Sequence, residues 1–301
     1  MGGMLFWRVG RMVAGALSLA VGTGAVSAHD FWLEPDSALA SKGEELVLHL
    51  RMGERLLTEE ERALQKDRVA RFDLYGAAMR RDLLAAGVEG QLPVAQTRLE
   101  SGAALIVMDR KPQFISMEAA KFNEYLTEEG LDTVVAQRVR LGQTNAPARE
   151  TYQRFLKVLI QERDPAAATA NTLYKRRVGK RLEILLENDP GQLHADGRLA
   201  VKVLFDDRPL VGAKVFACRR MKGEEQKPVV LAATTSAKGV AEFPLDQPGL
   251  WLVRLVHMRT AAPGAKQDAN APQWESFWAA YTFAARFSPG GAATPPRPPL
   301  P

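Results

Sequence analysis

Apolar and polar residues alternate along 45–52, which puts Leu46, Leu48, Leu50 and Met52 on one face and Val47, His49 and Arg51 on the other. That is the period of a half-buried strand. Residues 31–35 read as a preceding strand, with Ser41, Lys42 and Gly43 as the turn between the two. Strand-like runs recur at 71–75 and 103–108. Thr58 to Glu61 has capping-box spacing and predicts a short charged helix reaching about Asp67. Residues 29–115 therefore read as a mostly β N-terminal domain.

The period changes at Ser116. Residues 117–129 predict a helix with Phe122, Tyr125 and Leu126 on one face and Gly130 as its C-cap. A second helix is predicted over 132–141. A third begins near Pro147, where Tyr152, Phe155, Leu156 and Leu159 take the spacing of a buried helical stripe, and Asp164 with Pro165 ends it. A further short helix is expected over 166–174. Together these make residues 116–180 a helical insertion.

Residues 181–187 read as a strand, within a connecting segment 181–189, and Asn188 to Gly191 is a strong turn signal. Short strands then follow at regular spacing, over 199–205, 213–219, 229–235, 240–244, 251–258 and 276–287, which predicts a C-terminal β-sandwich over 190–287. The Pro-rich residues 288–301 predict an extended, disordered tail. The fold class expected is mainly β: two β-sandwich domains with a helical insertion between them.

Composition adds a compartment. Arg8 and Arg11 precede the apolar residues 12–21, and small residues at Val26 and Ala28 complete a three-part secretory signal over 1–28, so the mature chain is expected to begin at His29 in the periplasm. Thr23 and Ala25 offer a second cleavage position three residues earlier. No later segment approaches the roughly 20 apolar residues of a membrane span. Removing Arg8 and Arg11 leaves 38 Lys plus Arg against 35 Asp plus Glu, a near balance with no basic, aromatic-interleaved footprint for nucleic acid. The one cysteine, Cys218, excludes an intrachain disulfide framework.

Cleavage after Ala28 would free the α-amine of His29 beside its own imidazole, a pair able to chelate one metal ion in the manner of a histidine brace. A further imidazole would complete a three-nitrogen site suited to Cu(II) or Ni(II). Of His49, His194 and His257, the last is best placed, at the end of a strand whose hairpin partner would carry Glu275; Glu275 and Asp30 are expected as oxygen ligands. The two rings would then need to lie within about 5 Å of each other. The plainer reading of the same residues is that His29 starts a strand and His257 bonds within a core edge. No GxSxG, HExxH, P-loop or dinucleotide fingerprint occurs, so no enzymatic activity is expected.

The segment His29 to Pro35 directly after a signal, the passages 125–131 and 149–155, and the ending Trp274 to Trp278 together resemble the DUF4198 family. The resemblance extends to residues 249–253 and 256–258. It implies an exported bacterial protein similar to the NikM type, a periplasmic component of nickel or cobalt uptake acting with a membrane transporter. Residues 193–243 also resemble the transthyretin-like regulatory domain of carboxypeptidases, a binding or spacer module. The function expected is binding or delivery of a nickel, cobalt or copper ion for an uptake system. The alternative is a metal-free interaction module that binds a protein, peptide or glycan at the cell envelope.

Overall fold

A computed structural model describes residues 29–164, 172–193, 197–220, 228–262 and 271–287. The expected signal peptide, the Pro-rich tail, His194 and most of the helix expected over 166–174 lie outside these residues. Of that helix, the described part is a single 3-10 turn, Leu173–Lys175.

The chain begins with β1 (Asp30–Pro35), β2 (Leu39–Ala40), β3 (Glu45–Glu54) and β4 (Leu57–Arg62). It continues through β5 (Val69–Tyr75), β6 (Arg80–Asp82), the short helix α1 (Leu83–Ala86), β7 (Ala95–Arg98), β8 (Ala104–Arg110) and β9 (Gln113–Met117). Helices α2 (Ala119–Glu128) and α3 (Asp132–Arg140) follow, then β10 (Ala148–Glu162) and β11 (Leu182–Leu186). The remainder is β12 (Arg198–Phe205), β13 (Arg208–Pro209), β14 (Lys214–Arg220), β15 (Val229–Thr234), β16 (Val240–Pro244), β17 (Gly249–Thr260) and β18 (Trp274–Ala285).

The protein is mainly β, and its two sandwiches share a sheet. Among the described residues, ten strands form the central layer, in the order β15-β14-β17-β18-β10-β8-β5-β6, with β2 and β9 also paired to β10. The join is the parallel pairing of β10 with β18, from Glu150 opposite Trp274 to Val158 opposite Thr282. On one face lies the sheet of β1, β3, β4 and β7; on the other lies the sheet of β11, β12, β13 and β16.

Strand periodicity sorts the side chains between the two faces. Leu33, Leu48 and Leu50 of the first small sheet pack with Leu156, Val158, Ile160 and Leu252 of the central one. Ile184, Val201 and Val203 of the other small sheet pack with Phe155, Leu159, Val253 and Phe283. Each such Leu, Val or Ile, essentially excluded from water, contributes about 1.5–3 kcal/mol. Helices α2 and α3 cover one end of the central sheet, with Phe122, Tyr125 and Leu126 against Val256, Met258, Trp274 and Trp278.

Two predicted helices are strands. The expected third helix of the insertion is β10, the central strand that pairs with four others. Tyr152, Phe155, Leu156 and Leu159 satisfy a helical stripe, but residues 155–161 are buried throughout, as in a strand covered on both faces. The charged helix expected from Thr58 is β4 instead. Its capping spacing loses to a hairpin with β3, closed by Arg55 and Leu56 at φ 52° and 69°. That hairpin sets Arg51 opposite Glu61, with an Nη1–Oε2 ion pair of 2.5 Å.

Candidate functional site

The start of β1 lies where the small sheet, the end of α2 and the central sheet converge. Antiparallel pairing with β3 holds Asp30 opposite Gly53 and fixes the strand's direction. Arg254 stands alone among apolar neighbours in β17, and its side chain reaches across the layer boundary. Its Nε forms an ion pair with Asp30 Oδ1, and its Nη2 donates to Glu129 Oε1. Asp30 Oδ2 also accepts the backbone N–H of Arg55 at 3.0 Å. All three charged side chains are buried.

Burial opposes the Arg254 cation, but Asp30 and Glu129 outweigh it and hold its pKa above the ordinary guanidinium value. Glu129 is raised, because desolvation exceeds the pull of Arg254. Its Oε2 has no hydrogen-bond partner among the described residues. Asp30, Glu129 and Arg254 line a cleft of about 40 Å³, whose walls include Phe216, Val230 and Cys218. Burial pushes the Cys218 thiol up to about 12, so it stays protonated and inert.

His29 precedes this cleft. Its Nε2 lies 2.8 Å from Glu59 Oε2 of β4, and its carbonyl accepts from Arg154 Nη2 at 3.4 Å. No hydrogen bond to its Nδ1 occurs among the described residues. Arg154 is itself caged, with its guanidinium carbon 4.2 Å from the ring centre of Phe31, 4.6 Å from Tyr152 and 5.3 Å from Trp278. The approach of β1 to the central sheet is therefore fixed on both sides of His29, by Arg154 at its carbonyl and by Arg254 at the next residue.

The expected pairing of His29 with His257 does not form. Arg254 and His257 are three residues apart on one strand, so they project from opposite faces of the central sheet. Arg254 faces Asp30, whereas the His257 ring centre lies 4.4 Å from that of Phe205 in β12, on the far side. A sheet stands between the rings, and packed layers are about 10 Å apart. Burial, helped by the nearby Arg259, drives the His257 pKa down to about 4 and leaves it a neutral core imidazole. Glu275 lies toward that same far face and bonds Arg259 Nη2 at 2.8 Å. Of the expected ligands, only His29 and Asp30 share a neighbourhood, and Asp30 is committed to Arg254. Among the described residues, no three His, Cys, Asp or Glu side chains are grouped to hold a metal ion.

A second polar cluster lies under α2. Glu150 Oε1 accepts from Ser276 Oγ, which itself accepts from Trp278 Nε1 at 2.9 Å. Burial pushes the Glu150 carboxyl up to about 7. His49 is also more engaged than its place in the sequence suggests, with Nδ1 2.6 Å from Glu61 and Nε2 2.8 Å from Asp36.

The His29 and Cys218 readings started from residue types with known chemistry; Arg254, Glu129, Glu59 and Glu150 carried no such flag. The available signal was a lone Arg inside the apolar run 250–258, because a charge within a strand buried on both faces requires partners from other layers. Among the described residues, no helix is long and apolar enough to cross a membrane. The model of a family described as Domain of unknown function (DUF4198) matches residues 26–259. No curated protein matches the chain.

Proposed function

We propose, for a chain that belongs to the DUF4198 family, that the mature protein is a periplasmic carrier. It takes one nickel, cobalt or copper ion at its amino terminus and passes it to a membrane uptake system. The observation that carries this reading is the His29–Glu59 contact. A neutral imidazole that donates Nε2–H to a carboxylate keeps its lone pair on Nδ1. Nδ1 is the ring nitrogen that can close a chelate with the α-amine of the same residue. With Glu59 Oε2 2.8 Å from Nε2, the carboxylate favours in this reading the tautomer that leaves Nδ1 to the chelate.

Two protein nitrogens leave much of the ion's coordination sphere to water or to an acceptor. An incomplete site of this kind suits transfer better than storage. It needs no second imidazole, so the separation of His257 leaves it intact. The C-terminal sandwich, with its resemblance to transthyretin-like modules, serves in this reading as the scaffold on which β1 is held.

The test is a titration of the chain beginning at His29 with Cu(II), Ni(II) and Co(II), beside the same chain with its α-amine acetylated. Acetylation turns the α-amine into an amide and should abolish tight binding of Cu(II) and Ni(II). Equal binding by both forms would overturn the proposal.

A further inference from the structure

Where the first small sheet meets the central one near His29, the central sheet carries arginines that the metal reading does not use. The antiparallel register that sets Leu156 opposite Met108 and Phe155 opposite Asp109 brings Arg154 of β10 beside Arg110 of β8. By strand alternation both side chains share the face of Leu156 and Met108, which meets the first small sheet. Phe31 of β1 receives both, with the guanidinium carbons of Arg154 and Arg110 4.2 Å and 5.4 Å from its ring centre. Arg68 joins them. It precedes Val69, the β5 partner of Arg110, and its carbonyl accepts the Lys111 N–H at 2.8 Å.

Arg254, on the same face, is neutralised by Asp30 and Glu129. Arg110, Arg154 and Arg68 have no carboxylate within ion-pair distance among the described residues. Like charges on neighbouring strands repel, and a buried guanidinium without a counter-ion keeps its desolvation cost. Burial first, then Arg154, with lesser help from Arg68 and Arg62, brings the Arg110 pKa down to about 10 against the pull of Tyr152.

The head of Arg110 marks where a ligand fits. The residue is 7 % exposed, and its one hydrogen bond among the described residues is long, from Nη2 to Gln65 Oε1 at 3.4 Å. Its Nε and Nη1 donate to nothing among those residues, yet neither is sealed from solvent. A guanidinium packed on Phe31, with two donors free and two further cations beside it, suits an oxyanion. Three positive charges favour an anion of charge two over a single carboxylate.

We propose that Arg110, supported by the charges of Arg154 and Arg68, binds a doubly charged phosphate-type oxyanion. The anion supplies the counter-charge that no side chain provides. Neither the amine nor the ring of His29 takes part, so the site stands or falls apart from the metal chelate.

Calorimetric titration of the metal-free mature chain with inorganic phosphate, at low ionic strength and mildly alkaline pH, tests the proposal, with acetate as the singly charged comparison. Saturable one-to-one binding of phosphate is expected, with acetate at least about tenfold weaker. Arg110→Gln should weaken phosphate at least about tenfold, as loss of a charged hydrogen bond requires. Phosphate should also raise the thermal midpoint of the parent and leave that of the variant unmoved, a difference that a merely structural Arg110 does not produce. Arg68→Gln, at an exposed position, leaves the core untouched and should cost about threefold. Glycerol phosphate in place of phosphate separates two sources of the anion: equal affinity assigns the site to a phosphate monoester, and weaker binding assigns it to the free ion. No saturable heat with phosphate, acetate bound as tightly, or undiminished affinity in Arg110→Gln would overturn the proposal. Should that variant fail to fold, undiminished affinity in Arg68→Gln overturns it.

Discussion

Arg254 reaches out of the central sheet to hold Asp30, the first residue of β1, and spans on to Glu129 at the end of α2. One guanidinium thereby ties three layers of the protein together beside His29. Removing one member of such a buried group leaves the others desolvated and unpaired. Arg254→Met should therefore destabilise the protein by about 3–5 kcal/mol, read from the urea midpoint. A loss below about 1 kcal/mol would show that water reaches the cluster and that it is not the anchor of β1.

Glu150 sets the neutral range of the stability profile. Burial raises its folded pKa to about 7 from an ordinary 4.5, so between those values the folded state keeps a proton that the unfolded chain has released. Its contribution is full below pH 4.5 and is lost as the pH rises through 7, by up to about 3 kcal/mol. Glu150→Gln should remove this decline, giving a flatter profile and a net gain above pH 7. Parallel denaturation curves of the two proteins from pH 4.5 to 8 check it.

His257 acts with the opposite sign at the acid end. Its folded pKa of about 4 lies below the ordinary 6.5, so the unfolded chain binds the extra proton between these values and stability falls as the pH drops. His257→Phe should reduce the acid sensitivity between pH 6.5 and 4 by up to about 3 kcal/mol. The same substitution should leave Cu(II) and Ni(II) affinity unchanged, since the ring packs on Phe205 on the face away from His29. Altered metal affinity in this variant would restore His257 as a ligand.

Much of the fold was legible in the sequence. The alternation at 45–52 identifies β3, and the short runs after Gly191 recover β12, β14, β15, β16, β17 and β18. The failures have a common cause. Residues 148–162 and 57–62 carry local signals that fit a helix, and both became strands because of partners distant in sequence: β8 and β18 for β10, and β3 for β4. The site was less legible. His29 stands out because chemistry can be assigned to it alone. Arg254 and Glu129, 125 residues apart, acquire their roles only when the layers meet.

Glu59 should matter to metal binding without touching the metal. Its carboxylate lies 2.8 Å from the Nε2 of His29, on the side of the ring away from the proposed chelate. Glu59→Ala should lower Cu(II) affinity about tenfold while the thermal midpoint stays close to that of the parent, because Glu59 is half exposed. Undiminished affinity in a competition assay would show that the chelate needs no such support.

The central claim is that the metal rests on the α-amine and ring of His29, and Cu(II) electron paramagnetic resonance reads this directly. One equivalent of Cu(II) on the mature chain should give a spectrum with nitrogen superhyperfine structure. His29→Ala should abolish that spectrum, an alanine extension before His29 should convert it to a different species, and His257→Ala should leave it unchanged. A parent spectrum that survives both His29→Ala and the extension would contradict the account.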